Sequence, residues 1–158
     1  MTPRPVTQSA LEFLKDDEGS AVVGWVGESV FYARFRGGLS AKVGMAHIAR
    51  LGAVIENAPS LSYFCDASAM RSYDLLARTA FVRLVSENRH KFTSLVMLPW
   101  SANITPAMRA FTTALGGTVN MLTSAAQFDA LLHEAAPFAK RKLHPNAWVK
   151  APLPDIVR

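Results

Sequence analysis

Residues 60–91 read SLSYFCDASAMRSYDLLARTAFVRLVSENRHK, and this stretch decides the fold. A short run of apolar residues, Leu61 to Cys65, has the length and composition of a strand buried on both faces. It ends in Asp66, and the small and polar residues up to Asp74 read as a loop. From about Ser72 or Asp74 to His90 the pattern changes to a helix: Leu76, Ala80 and Leu84 form one stripe, with Phe81 and Val85 beside it. Strand, loop and helix in this order are the unit of an open α/β sheet, in which ligands and partners gather beyond the carboxyl ends of the strands. The segment from Asp66 to Leu75 is therefore where function is expected.

Outward from this unit the same alternation continues. Upstream, Ala21 to Val26 and Val30 to Arg36 flank Gly27-Glu28-Ser29, a hairpin spacing. Phe31, Ala33 and Phe35 alternate with Tyr32, Arg34 and Arg36, which places the two arginines on one face. Gly37-Gly38 breaks that strand, and Ser40 is placed to cap a helix over residues 42–57, with Ile48, Leu51 and Ile55 on its buried stripe and His47 on its surface. Downstream, Thr93 to Leu98 is a second apolar strand ended by Pro99. Thr105 and Pro106 then open a helix carrying Ile104, Met108, Phe111 and Leu115 up to Gly116-Gly117. Val119 to Leu122 is a last short strand, and Ser124-Ala125-Ala126-Gln127 is a capping box before Phe128, Leu131 and Leu132. Residues 6–14 read as a short helix or lead-in. The fold class is thus α/β, a mixed sheet of about five strands with about four helices against it, an opening hairpin leading into alternating helices and strands.

With 158 residues, half of them apolar, the chain suits one globular domain. The expected division is a lead-in over 1–20, the α/β domain over 21–134 and a tail over 135–158. No apolar run has the length of a membrane span and no secretory signal core follows Met1, so the chain reads as cytoplasmic. The single cysteine, Cys65, forms no internal disulfide, and the histidines at 47, 90, 133 and 144 lack zinc spacing. Neither a metal nor a cofactor is expected. The net charge of +5 is concentrated in the tail, where Lys140, Arg141, Lys142, Lys150 and Arg158 face Asp155 alone. With Pro137, Pro145, Pro152 and Pro154 the tail is a flexible arm or a strap laid over the domain, Trp148 favouring the latter. Lys140-Arg141-Lys142 offers a nucleic-acid or anionic-membrane contact, against the plainer reading of a solubilising tail.

The order of elements, together with FYARFRGGLSA, the strand Leu61 to Asp66 and VNMLTSAAQFDALL, resembles the STAS domain family, the fold of bacterial anti-sigma-factor antagonists and of the cytoplasmic domains of sulphate transporters. The resemblance implies a non-catalytic module in bacterial signalling that binds a partner protein, of the kinase or anti-sigma-like regulator kind, or a second copy of itself. In the family a second aspartate is followed by a serine that a partner kinase phosphorylates, a switch that adds nearly two negative charges at a docking surface. Here Asp66 and Asp74 match, but the phosphoacceptor position is Leu75. The implied partner-binding residues are Asp66, Ser68, Arg71, Ser72, Asp74, Leu75 and Arg78, with Ser72 also a helix-cap residue. Arg71, Arg78 and Arg89 are spaced to share one exposed side.

A second reading of the same residues is catalytic. Cys65 and Arg71, separated by five residues and followed by Ser72, have the spacing of cysteine phosphatases, in which a thiolate attacks phosphorus and an arginine binds two of its oxygens. Asp66 beside the thiolate and the absence of glycine from the loop oppose it.

Overall fold

A computed structural model describes residues 10–99, 110, 112–115 and 119–155 of the chain. Among the described residues seven strands form one sheet: β1 (Leu11–Lys15), β2 (Gly19–Trp25), β3 (Val30–Leu39), β4 (Leu61–Tyr73), β5 (Phe92–Leu98), β6 (Val119–Met121) and β7 (Trp148–Lys150). Their spatial order is β6-β5-β4-β3-β2-β1-β7. β1, β2 and β3 pair antiparallel, β3 to β6 run parallel, and β7 returns parallel to β1.

Two strands were not foreseen. Residues 11–15, within the segment read as helix or lead-in, form β1, because Glu12 to Lys15 pair with Ser20 to Val23 across a tight turn. Asp16 organises that turn: one carboxylate oxygen accepts the amides of Glu18 and Gly19, and the other accepts the Ser40 hydroxyl. Residues 148–150, within the tail, form β7. The sheet therefore draws on residues 10–20 and 135–158 as well as on 21–134.

Each face of the sheet carries its own core. Helix α1 (Ala41–Asn57) and helix α2 (Leu75–Glu87) cover one face, burying Val43, Leu51, Ile55, Phe81 and Val85 against Leu14, Phe31, Phe35 and Leu95. Ser40 caps α1, its Oγ accepting the Val43 amide at 3.2 Å, and Arg50 ties the helix to Glu12 of β1. Helix α3 (Ala125–Ala135) covers the other face with Phe128 and Leu132 against Leu11, Tyr32, Phe64 and Val96. Ser124 caps it as the capping box predicts. Ala110 and residues 112–114 are helical and Leu115 is buried, whereas Thr105, Pro106, Ile104, Met108, Phe111 and Gly116-Gly117 lie outside the described residues.

His47 overturns its expected place on the surface. It is 1 % exposed, packed against the rings of Phe35, Tyr63 and Phe81, and its Nε2 lies 2.7 Å from the Tyr63 hydroxyl. Its Nδ1 has no partner among the described residues. The position points inward because α1 turns this face, with Val43 and Leu51, onto the sheet, and Tyr63 of β4 supplies the polar partner a buried imidazole needs.

Burial, with the charge of Arg50 adding to it, lowers the His47 pKa to about 3. Since the unfolded chain binds a proton near pH 6.5 and the folded chain does not, stability falls as pH drops from about 6.5 towards 3. Denaturant unfolding at pH 5 is expected to give about 2 kcal/mol less stability than at pH 7, a difference that shrinks in His47→Gln.

Glycine 44 sets the distance between α1 and α2: a Cβ there would lie 2.4 Å from the Cβ of Ala77. By contrast, nothing lies within 4 Å of a Cβ at Gly52 on the same helix. Urea unfolding should show Gly44→Leu losing about 2–3 kcal/mol by forcing the helices apart, while Gly52→Ala gains about 0.5–1 kcal/mol from helix propensity. Equal effects at the two positions would remove the close approach as the explanation.

Candidate functional site

The segment expected to be a loop, residues 66–74, is mostly strand. β4 does not end at Cys65 but continues to Tyr73, paired with the second half of β3 from Arg34↔Asp66 to Leu39↔Tyr73. The register shifts twice, between Arg34 and Arg36 and between Gly37 and Gly38. The glycine pair accommodates the second shift. Gly37 has φ +73°, and a Cβ on it would sit 2.8 Å from the Glu18 carbonyl oxygen; the Gly38 position lies under the Ser72 hydroxyl. The residues that look like a loop in sequence are held as a bulged strand by a partner remote from them in the chain, β4 carrying one more residue than β3 at each register shift.

Along this overhang the predicted site residues take distinct places. Asp66 is half-buried, and its Oδ1 accepts both the Ser68 amide at 3.0 Å and the Ser68 hydroxyl at 2.6 Å. Ser68, Arg71 and Ser72 are exposed. Ser72 stays on the strand and does not cap α2; the cap is Asp74, whose Oδ2 accepts the Ala77 amide at 3.2 Å. Arg71 lies on β4, Arg78 is half-buried on α2 and Arg89 sits in a 3-10 turn (Arg89–Lys91), so the three arginines do not share one helix side.

The face of α2 differs from its predicted one. Ala77, Phe81 and Val85 are the buried positions, and Leu76, read as core, is 55 % exposed next to Leu75 at 65 %. The tight contact of Ala77 with Gly44 selects this rotation. Two leucines therefore project from the first turn of α2, one of them at the position where the STAS pattern has its serine. The sequence gives no local sign of this, because Leu75 and Leu76 fit the helical stripe equally well as core.

Cys65 and Arg71 are not brought together. Cys65 is 2 % exposed and belongs to the core beneath α1 and α2, beside the Tyr63 hydroxyl that also contacts His47. Burial pushes its thiol up to about 12, the Asp66 charge adding to the rise and the Tyr63 hydroxyl opposing it. The extended backbone from Cys65 to Arg71 presents no ring of amides to an anion. His47, Tyr63 and Cys65 form a neutral polar string inside the core. Tyr73, at the end of β4, is half-buried, and desolvation of its hydroxyl raises its pKa above the ordinary range. Among the described residues no group of His, Cys, Asp and Glu has the arrangement of a metal site.

A central strand that is parallel to both neighbours, capped at its end by an aspartate-led helix and flanked by an antiparallel hairpin, has a counterpart among solved structures. An uncharacterised protein of the DUF3478 family with a SpoIIAA-like fold, from Shewanella loihica PV-4, superposes with a TM-score of 0.54 at 13 % identity, covering 75 % of this chain and 98 % of its own. The chain has a SpoIIAA-like, STAS-type fold. The anti-sigma factor antagonist SpoIIAA in its unphosphorylated form is similar over 69 % of this chain and 93 % of its own, at 16 % identity and a TM-score of 0.45. No family model and no curated protein matches the sequence. Within this STAS-type fold no helix among the described residues is long and apolar enough to cross a membrane.

A thiol with a pKa near 12 is neutral at ordinary pH and shielded by two helices. With iodoacetamide at pH 8, under about a tenth of Cys65 should be alkylated in the time that labels the urea-unfolded chain completely, as followed by intact mass. Rapid labelling of the folded chain would contradict the burial described here.

Proposed function

We propose that the chain is a non-catalytic, cytoplasmic interaction module that binds a partner protein in bacterial regulation through the β4 overhang, residues 66–74, and the first turns of α2. The observation that carries this reading is the exposed pair Leu75 and Leu76, at 65 % and 55 %, with Arg78 three residues beyond Leu75 on the same helix. Large apolar side chains held in water at a helix start cost free energy that a contact recovers, and Arg78 next to them fits a partner with a carboxylate beside an apolar centre. Asp66 and Asp74 belong to the frame, since one holds Ser68 and the other caps α2. Ser68 and Ser72 are exposed on the β4 segment that leads into α2.

A leucine in place of the phosphoacceptor changes the logic of the contact. In the STAS pattern a phosphate at this position repels or recruits a partner. Leu75 accepts no phosphate and adds apolar area, so the association is constitutive with respect to this position. The kinase or anti-sigma-like class of partner follows from the family resemblance. No catalytic role falls to this surface, because the thiol that would serve as nucleophile is turned away from it.

Tagged protein used as bait in extract of the source bacterium should retain one partner that Leu75→Glu combined with Arg78→Glu depletes by roughly tenfold, the loss expected when an interface centre is disrupted. The two substitutions are at exposed or half-exposed positions, and circular dichroism should show an unchanged fold. Equal retention of the same proteins by both baits would refute the assignment of this surface.

A further inference from the structure

We propose that a second surface, on the α3 face of the sheet, binds the phosphodiester backbone of single-stranded nucleic acid. Charge alone does not carry this, since the sequence from 135 to 158 is also the composition of a solubilising tail. What carries it is where the fold puts the tail. After α3 the chain forms a short helix α4 (Ala139–Lys142), then β7, and crosses the edge of the sheet, with Ala151 donating its amide to Phe13 O at 3.0 Å. The tail is a strap, and its charges have fixed places.

The Lys140-Arg141-Lys142 triplet is divided by this geometry. Lys142 turns inward and donates to the Trp25 carbonyl at 3.1 Å. Lys140 and Arg141 stay exposed and, with His144, Asn146 and Ala147, line an open depression of about 540 Å³. Phe138, 68 % exposed, stands beside it with the Arg141 guanidinium 5.5 Å from its ring centre.

The strands extend the track. Trp148, the first residue of β7, stacks on Phe13 at 5.5 Å, and Arg34 lies over its ring at 5.4 Å. One row across the sheet reads Lys150, Phe13, Val22, Arg34, Asp66, and the next reads Lys15, Ser20, Arg36. Six cations, Lys140, Arg141, Arg34, Lys150, Lys15 and Arg36, thus follow the strap and the strands beside it. No acidic residue occurs between Glu134 and Asp155, and on these two rows the single carboxylate, Asp66, is occupied by Ser68.

An extended line of cations beside an open trough, with an exposed aromatic ring at one end, matches what single strands need: phosphates neutralised along a path and a base stacked on a ring. A lipid surface fits less well, because membrane contact asks for apolar side chains clustered to insert together, and the exposed large apolar side chains described on the strap are Phe138, with Arg141 over its ring, and Val149 eleven residues further on.

The test is fluorescence anisotropy of a labelled 20-nucleotide oligouridylate with the full-length protein, with phosphatidylcholine/phosphatidylserine vesicles as a separate arm. Four phosphates neutralised give a log–log salt slope near −3, so affinity should fall about 50-fold between 50 and 200 mM salt. Lys140→Glu with Arg141→Glu should weaken binding at 50 mM salt by at least about tenfold, and Lys150→Glu with Arg36→Glu likewise. Arg83→Glu with Arg89→Glu, an equal charge change at exposed positions of α2 and the turn after it, should leave affinity within about twofold. Absence of binding at 50 mM salt, an equal loss in the α2 variant, or binding to vesicles without binding to the oligonucleotide would each overturn the proposal. The protein-partner surface at Leu75 is untouched by these variants, so the two readings fail separately.

Discussion

The pairing of β3 with β4 beyond Asp66 is the constraint on which the rest depends. Up to that point the two strands are an ordinary parallel pair, covered on both faces. Beyond it β4 has outrun β5, whose last registered partner is Leu98 opposite Asp66, and among the described residues β3 alone pairs with it. β4 bulges twice against β3, and at the second bulge it faces the Gly37-Gly38 pair, one glycine with a positive φ and the other beneath Ser72. Because β4 stays paired with β3 as far as Tyr73, α2 begins from a fixed height above the sheet. Its first turn is joined to β3 by the Asp74 amide bonding to Leu39 O at 2.9 Å, and its distance from α1 is set where Ala77 meets Gly44. The exposure of Leu75 and Leu76 is then a geometric consequence: once Ala77, Phe81 and Val85 face the sheet, the preceding two side chains cannot.

How far the sequence reveals this follows from the range of each interaction. The alternation in Val30 to Arg36, the apolar runs of β4 and β5, the Ser40 cap and the Ser124 capping box are local, and all are legible. β1 and β7 are not, since each is a strand only by virtue of its neighbour: Leu11 to Lys15 carry little β pattern of their own, and Trp148 to Lys150 pair with β1 from the far end of the chain. Residues 67–73 deceive for the same reason, their small and polar side chains reading as loop while the glycines that order them lie thirty residues upstream. Two further misreadings concern phase. His47 looks like a surface residue because imidazole is polar, yet Tyr63 on another element satisfies it. Leu76 looks like core because leucine is apolar, yet a glycine on α1 fixes the rotation of α2.

Chemistry and exposure are segregated in this molecule. The groups with reactive or titratable character, Cys65, Tyr63 and His47, are packed together with their charged forms suppressed by burial. Such a string adds directional contacts between α1 and the central strand, at the cost of a neutral histidine whose Nδ1 is unpaired. The exposed groups of the β4 overhang are of the opposite kind: leucines, arginines and hydroxyls, suited to recognition and poor in nucleophiles. A catalytic site reverses this arrangement by placing its perturbed groups in a cleft open to substrate.

The strap gives the second face a character that depends on folding rather than on composition. A free tail carrying Lys140, Arg141, Lys142 and Lys150 would present a diffuse positive charge, screened over about 8–10 Å at physiological salt and indifferent to its own order. Docking changes that. Lys142 leaves the set by bonding to Trp25, Arg34 joins it by covering Trp148, and Lys150 is aligned with the strand cations through the register of β7 on β1. Trp148 is the hinge of the arrangement, held between Phe13 and Arg34 while its indole N–H is buried without a partner among the described residues. An unmet donor of that kind costs about 1–3 kcal/mol, so stacking and the short β7 pairing must exceed it for the strap to stay in place. The basic track and the seventh strand are for that reason a single cooperative feature: whatever loosens Trp148 disperses the charges that it aligns.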